Sequence, residues 1–171
     1  MKEQEKHNAF LEAYDKHSDA IYRHCYFRVF SKQRAEELVQ EAFLRAWQYM
    51  SEGKDVENMR ALLYRIATNL IIDDSRRRKE ESLDGMLESE TISEPGEDGR
   101  KNLELGILAK DVYAKMKELK PDEREILTLR FVDELEPREI AEILEITPNN
   151  ASVRINRAVA SLRSEIKKDN G

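Results

Sequence analysis

With 171 residues, 37 % charged and 7 % aromatic side chains, six glycines and four prolines, this chain has the composition of surface-rich helices in two small domains, not of a sandwich or barrel. A single cysteine, Cys25, excludes an intrachain disulfide or a cysteine-based zinc site, and His7, His17 and His24 lack ligand spacing, so neither metal nor cofactor is expected. The net charge of −6 argues against a free-standing duplex binder, the polar N-terminus and the lack of a long apolar run predict a cytoplasmic protein without membrane insertion, and no nucleophile–base pair or phosphate loop marks an enzyme.

Phe10, Tyr14, Ile21 and Cys25 recur at near-helical spacing and predict an opening amphipathic helix that ends near Phe30-Ser31. A second helix is expected from about Lys32 to Met50, with Leu38, Ala42, Phe43, Ala46 and Tyr49 as its apolar side, and Ser51-Glu52-Gly53-Lys54 breaks it. Asn58 suits the N-cap of a third, which runs through Met59, Leu63, Ile66, Ala67 and Leu70 toward Arg78. On its other face Arg65, Asn69 and Arg76 fall at i, i+4 and i+11, and Arg77, Arg78 and Lys79 extend the positive charge. A nucleic-acid face accounts for these residues; so does simple favour for cations at a helix C-terminus.

Residues 1–80 are close to neutral at +1, residues 81–102 carry −5 and residues 103–171 carry −2. Periodicity disappears between Glu80 and Asn102, so the acidic stretch reads as a flexible linker and domain boundary. Helical spacing resumes with Leu105, Leu108, Val112, Met116 and Leu119. Pro121, with Asp122 and Glu123 in the first turn, then starts a further helix leading into Ile126, Leu127 and Phe131.

Residues 137–163 form a helix-turn-helix pattern. Pro137 starts a short helix with Ile140, Ala141 and Leu144 facing inward, Thr147-Pro148-Asn149 makes the turn, and Asn150 is placed to cap the next helix. That helix buries Ala151, Ile155, Ala158 and Leu162 and leaves Asn150, Ser152, Val153, Arg154, Asn156 and Arg157 for another surface. Its N-terminal half is the part that would enter a major groove. Two short helices and a turn also serve as plain packing units, but residues 146–171 are a basic island of +3.

Combined with Ala35-Glu36-Glu37-Leu38-Val39-Gln40-Glu41-Ala42-Phe43-Leu44-Arg45-Ala46-Trp47 and Leu62-Leu63-Tyr64-Arg65-Ile66-Ala67-Thr68-Asn69-Leu70, this motif resembles the sigma-70 family, specifically its extracytoplasmic-function group. The resemblance covers roughly residues 10–80 and 105–165, and nothing resembles the additional regions of housekeeping sigma factors. It implies an all-α protein: region 2 at 1–80, an acidic linker at 81–102, and region 4 at 103–171. The implied partners are RNA polymerase core, through its clamp coiled coil and flap, promoter DNA, and an anti-sigma factor.

Carried over by position, Glu37, Leu38, Gln40, Glu41, Leu44 and Trp47 would dock on the polymerase. Arg65, Asn69, Arg76, Arg77 and Arg78 would engage the minus-ten element. Asn150, Ser152, Val153, Arg154 and Arg157 would read the minus-thirty-five element. Three departures stand out: Glu145 where the family often has Gly, Asn149-Asn150 for Gly-Thr, and Ser152 for a basic residue. A left-handed Glu145 would cost about 1–2 kcal/mol, so an altered turn is one expectation. The acidic linker is open to two readings, a nucleic-acid mimic inside the polymerase or a solubilising tether. A dimeric helix-turn-helix regulator and a sigma-like decoy are the competing functions.

Overall fold

The computed structural model describes residues 2–83, 112 and 114–169. The chain divides into two compact units, Met1–Ile92 and Ser93–Gly171, and no strand occurs among the described residues.

In the first unit α1 (Glu3–Val29), α2 (Lys32–Ser51) and α3 (Met59–Leu83) each pack on the other two. Phe30 makes the first reversal tight: it takes a left-handed backbone (φ 54°) and donates its N–H to the Tyr26 carbonyl at 2.7 Å. Ser31 then caps α2, its Oγ accepting from the Arg34 N–H at 3.3 Å. The expected Asn58 cap is present, Oδ1 accepting from the Ala61 N–H at 3.1 Å.

Ile21 and Cys25 from α1, Ala35, Ala42, Phe43 and Ala46 from α2, and Leu63, Tyr64 and Ala67 from α3 fill the core. Three alanines on one side of α2 keep its backbone close to its neighbours, as densely packed helices require. His24 is fully buried, edge-on to the Tyr64 ring at 5.4 Å between centroids.

Three expectations are corrected. Tyr14 is 45 % exposed rather than core, although its ring meets Phe43 at 4.9 Å. Met50 takes the inward place expected of Tyr49, which lies beneath the Lys54 ammonium. Finally, α3 continues to Leu83, so Arg76, Arg77, Arg78 and Lys79 lie inside a helix and its C-terminal dipole does not account for them. Residues 81–83 of the expected linker are thus helical; residues 84–102, with Leu105 and Leu108, fall outside the described set.

In the second unit residues 114–118 are helical, followed by α4 (Pro121–Leu127), α5 (Pro137–Leu144) and α6 (Pro148–Asp169). The Arg124 guanidinium ties the first of these helices to α4, donating to the carbonyls of Met116, Lys117 and Leu119 at 3.1 Å each. It satisfies carbonyls that a helix end leaves without intrahelical partners.

Thr128–Val132 continues α4 as a π-helical turn, closed by the Asp133 N–H on the Thr128 carbonyl at 2.9 Å. The wider turn rotates the register: Leu129 is fully buried, and Phe131, expected to follow Leu127 on the inner face, is 59 % exposed. Both α4 and α5 pack on α6, enclosing Ile126, Leu127, Leu135, Ile140, Ala141, Ile143, Ala151, Ile155 and Ala158. Ile143 lies deeper than the expected Leu144, and Leu162 is only half-buried.

Candidate nucleic-acid interface

Between α5 and α6 the chain keeps the sharp turn despite its sequence. Glu145 is left-handed (φ 57°, ψ 44°), and the N–H groups of Glu145 and Ile146 both reach the Ala141 carbonyl. A glutamate here does not change the turn; it occupies a conformation disfavoured for a side chain with a Cβ.

The helix that follows starts earlier than expected, at Pro148. Thr147, not Asn150, is the cap: its Oγ1 accepts from the Asn150 N–H at 3.1 Å, with Pro148 in the first helical position. This frees the Asn150 side chain to turn outward, where its Oδ1 accepts from Arg154 Nε at 3.1 Å. Asn150, Val153, Arg154 and Arg157 are exposed and follow i, i+3, i+4 and i+7 spacing, so they form one stripe opposite Ala151, Ile155 and Ala158. Ser152 is half-buried at its flank.

On α3, Arg65, Asn69 and Arg76 share one side, Asn69 and Arg76 exposed and Arg65 half-buried. Arg77 and Arg78 do not join them. Both turn toward Asp74, Arg77 Nη2 lying 3.7 Å and Arg78 Nε 3.5 Å from its carboxylate. Asp74 is also paired with Arg34 at the start of α2. The sequence pattern singles out neither Arg34 nor Asp74, because their partnership joins residues 40 positions apart.

On α2, Glu37, Gln40, Glu41 and Leu44 form an outer stripe, with Leu44 50 % exposed and Glu41 held by Arg45 Nε at 3.0 Å. Leu38 does not belong to it: at 8 % exposure it is a core residue. Trp47 is half-buried at the edge, its ring against Phe10 at 5.2 Å and His7 at 6.1 Å. Leu11, also overlooked in the sequence pattern, is exposed on α1 together with Tyr14.

Two family models match the chain, sigma-70 region 2 over residues 13–81 and sigma-70 region 4 over residues 109–162. The extracytoplasmic-function sigma factor SigW of Bacillus subtilis is 32 % identical, the match covering 94 % of this chain and 90 % of that protein. The chain belongs to the extracytoplasmic-function group of the sigma-70 family. BldN of Streptomyces coelicolor, in the same group, is also 32 % identical, over 95 % of this chain and 62 % of its own length. The fold matches sigma factor RpoE of Bartonella quintana with a TM-score of 0.75 at 21 % identity, covering 93 % of this chain and 97 % of that one.

As a sigma factor, the chain is a transcription initiation factor that works with RNA polymerase core at promoter DNA. Among the described residues no group of His, Cys, Asp and Glu is arranged to hold a metal ion, and no helix is long and apolar enough to cross a membrane.

Proposed function

We propose that this sigma factor divides promoter recognition between the two stripes. The α6 stripe of Asn150, Val153, Arg154 and Arg157, with Ser152 beside it, reads the minus-thirty-five element in the major groove. The α3 side with Arg65, Asn69 and Arg76 engages the minus-ten element, Asn69 hydrogen-bonding an unstacked base while the arginines hold phosphates; Arg77 and Arg78 add charge to its flank. Glu37, Gln40, Glu41, Leu44 and Trp47 dock on the clamp coiled coil, and the second unit meets the flap. In this reading residues 1–80 act as region 2, 81–102 as the tether and 103–171 as region 4. The protein is cytoplasmic and catalyses no reaction itself.

The observation that carries this reading is the position of Thr147 and Glu145. Together they aim an uncrowded polar stripe outward from the first turns of α6, with the apolar side closed against α4 and α5. A negative protein with two small basic surfaces gains little from either alone, but binding one raises the effective concentration of the other. Control by an anti-sigma factor completes the proposal, because the Bartonella quintana relative of the same fold was solved in complex with the anti-sigma factor NepR.

The test is run-off transcription with purified core polymerase on fragmented genomic DNA, comparing the protein with an Asn69→Ala, Arg154→Ala double variant. Discrete start sites are expected with the intact protein. With each lost base contact worth about 1–3 kcal/mol, the double variant is expected to initiate more than about tenfold less. Equal initiation by both would remove these residues from the promoter interface, whereas a dimer on a palindromic site without polymerase would establish the regulator instead.

A further inference from the structure

The basic residues late in α3 fall into two sets, and one acidic residue separates them. Arg76 shares the side of Asn69, while Arg77 and Arg78 flank Asp74, which faces the start of α2. Asp74 is mostly covered, as is its partner Arg34, with side-chain exposures of 18 % and 15 %. That pair is therefore shielded from water and fixes the carboxylate in place. Arg77, 74 % exposed, and Arg78 stand at longer distances, 3.7 and 3.5 Å, in solvent-accessible pairs of the kind that exchange partners readily.

We propose that Asp74 is a positioning residue that holds Arg77 and Arg78 to the flank of α3 and sets how much of their charge reaches nucleic-acid phosphates. The inference rests on the reading of α3 as a DNA-facing helix and adds to it two residues, Arg34 and Asp74. A phosphate drawn to Arg77 or Arg78 competes with a fixed anion for the same donors and is repelled by it. Arg34 moderates that competition, because it takes up part of the charge of Asp74. The two halves of one ion pair thereby have opposite effects on DNA binding. Asp74→Asn keeps the shape and removes the anion beside Arg77 and Arg78; Arg34→Gln keeps that anion and removes the cation that offsets it.

The experiment measures fluorescence anisotropy of a labelled duplex of about 20 base pairs and arbitrary sequence, titrated with the full chain across a salt series, since phosphate contacts are sequence-independent. Asp74→Asn is expected to bind roughly 3- to 10-fold tighter at low salt, with a log–log salt slope steeper by about one to two. Arg34→Gln is expected to bind about 2-fold weaker, and thermal unfolding should show both variants less stable because the tie between α2 and α3 is lost. Loss of the tie alone would move both variants the same way, and the change of net charge alone is matched by Asp73→Asn at the exposed neighbouring carboxylate, so a gain with Asp73→Asn equal to that of Asp74→Asn also overturns the proposal. Shifts in the same direction, or an Asp74→Asn protein that binds no tighter than the parent, overturn the proposal.

Adding Arg77→Gln and Arg78→Gln to Asp74→Asn should abolish the gain; a gain that survives also overturns it. The underlying reading of α3 is checked separately by Arg76→Gln in the parent chain. If that variant binds as the parent does while the Arg34 and Asp74 variants still diverge, the Asn69 side is not the DNA face and the role of Asp74 stands alone.

Discussion

Glu145 and Phe30 share nearly the same backbone geometry, φ 57° and φ 54°, yet the best residue at each position differs. Glu145 is exposed, so a glycine there relieves a left-handed strain of about 1–2 kcal/mol and returns about 0.5–1 kcal/mol through the greater freedom of the unfolded chain. Glu145→Gly should therefore raise the stability of the second unit by about 0.5–1 kcal/mol in urea denaturation, and a loss of stability would show that the Glu145 side chain makes a contact worth more than the strain. Phe30 is buried, and removal of its ring costs about 3–5 kcal/mol, which exceeds any relief of strain. Phe30→Gly is thus expected to destabilise the first unit strongly.

His17 adds a pH dependence at the same scale. Partial burial, and then the charges of Lys16 and Arg60, hold its imidazole below the usual 6.5. Because the folded value is the lower one, the unfolded chain binds the proton more readily. The contribution of His17 to stability is complete above pH 6.5 and is lost as pH falls toward the folded value. Proton NMR should find the His17 midpoint below 6.5, and a midpoint at or above it contradicts this account.

At the level of elements, the start of α6 makes the cap, Thr147, separable from the proposed contact residue, Asn150. Thr147→Ala removes the oxygen that accepts from the Asn150 N–H and should cost about 0.5–2 kcal/mol of stability in the second unit. Asn150→Ala touches no cap and should change stability by no more than about 0.5 kcal/mol, while weakening binding to minus-thirty-five DNA by polymerase that carries the factor. The opposite pattern would restore Asn150 as the cap.

Much of this architecture was legible because its punctuation is local. Asn58, Pro121 and Pro137 mark helix starts by their own chemistry, and the alanine and leucine spacing of α2 and α3 places their inner sides. What the sequence pattern hides depends on hydrogen bonds or partners elsewhere. The π-helical turn shifts Phe131 outward without any distinctive residue, and Thr147 and Asn150 are both good caps, so only the chain path decides between them. Leu38 and Leu44 are the same residue type six positions apart, but only the packing of α2 sends one inward and the other out. The Arg34–Asp74 pair spans two helices and has no local signature.

For the whole molecule, the decisive quantity is what the two units gain from being one chain. Each candidate surface is small and basic within a protein of net charge −6, so neither unit by itself is suited to hold duplex DNA at physiological salt. Carrying both units on one chain converts the second contact into an intramolecular event, equivalent to roughly millimolar partner concentration and to a gain of about 10²–10⁴ in overall binding. A chain with a protease site inserted after Gly96, cut after purification, keeps every residue of both units and loses only that gain. With core polymerase at nanomolar concentration, run-off transcription by the cut protein should fall by about 100-fold or more, and raising the concentration of the separated second unit should recover it progressively. Undiminished initiation after complete cleavage would mean that polymerase holds each unit independently. The connection would then contribute nothing to recognition, and the acidic stretch would have to act, if at all, through its charge.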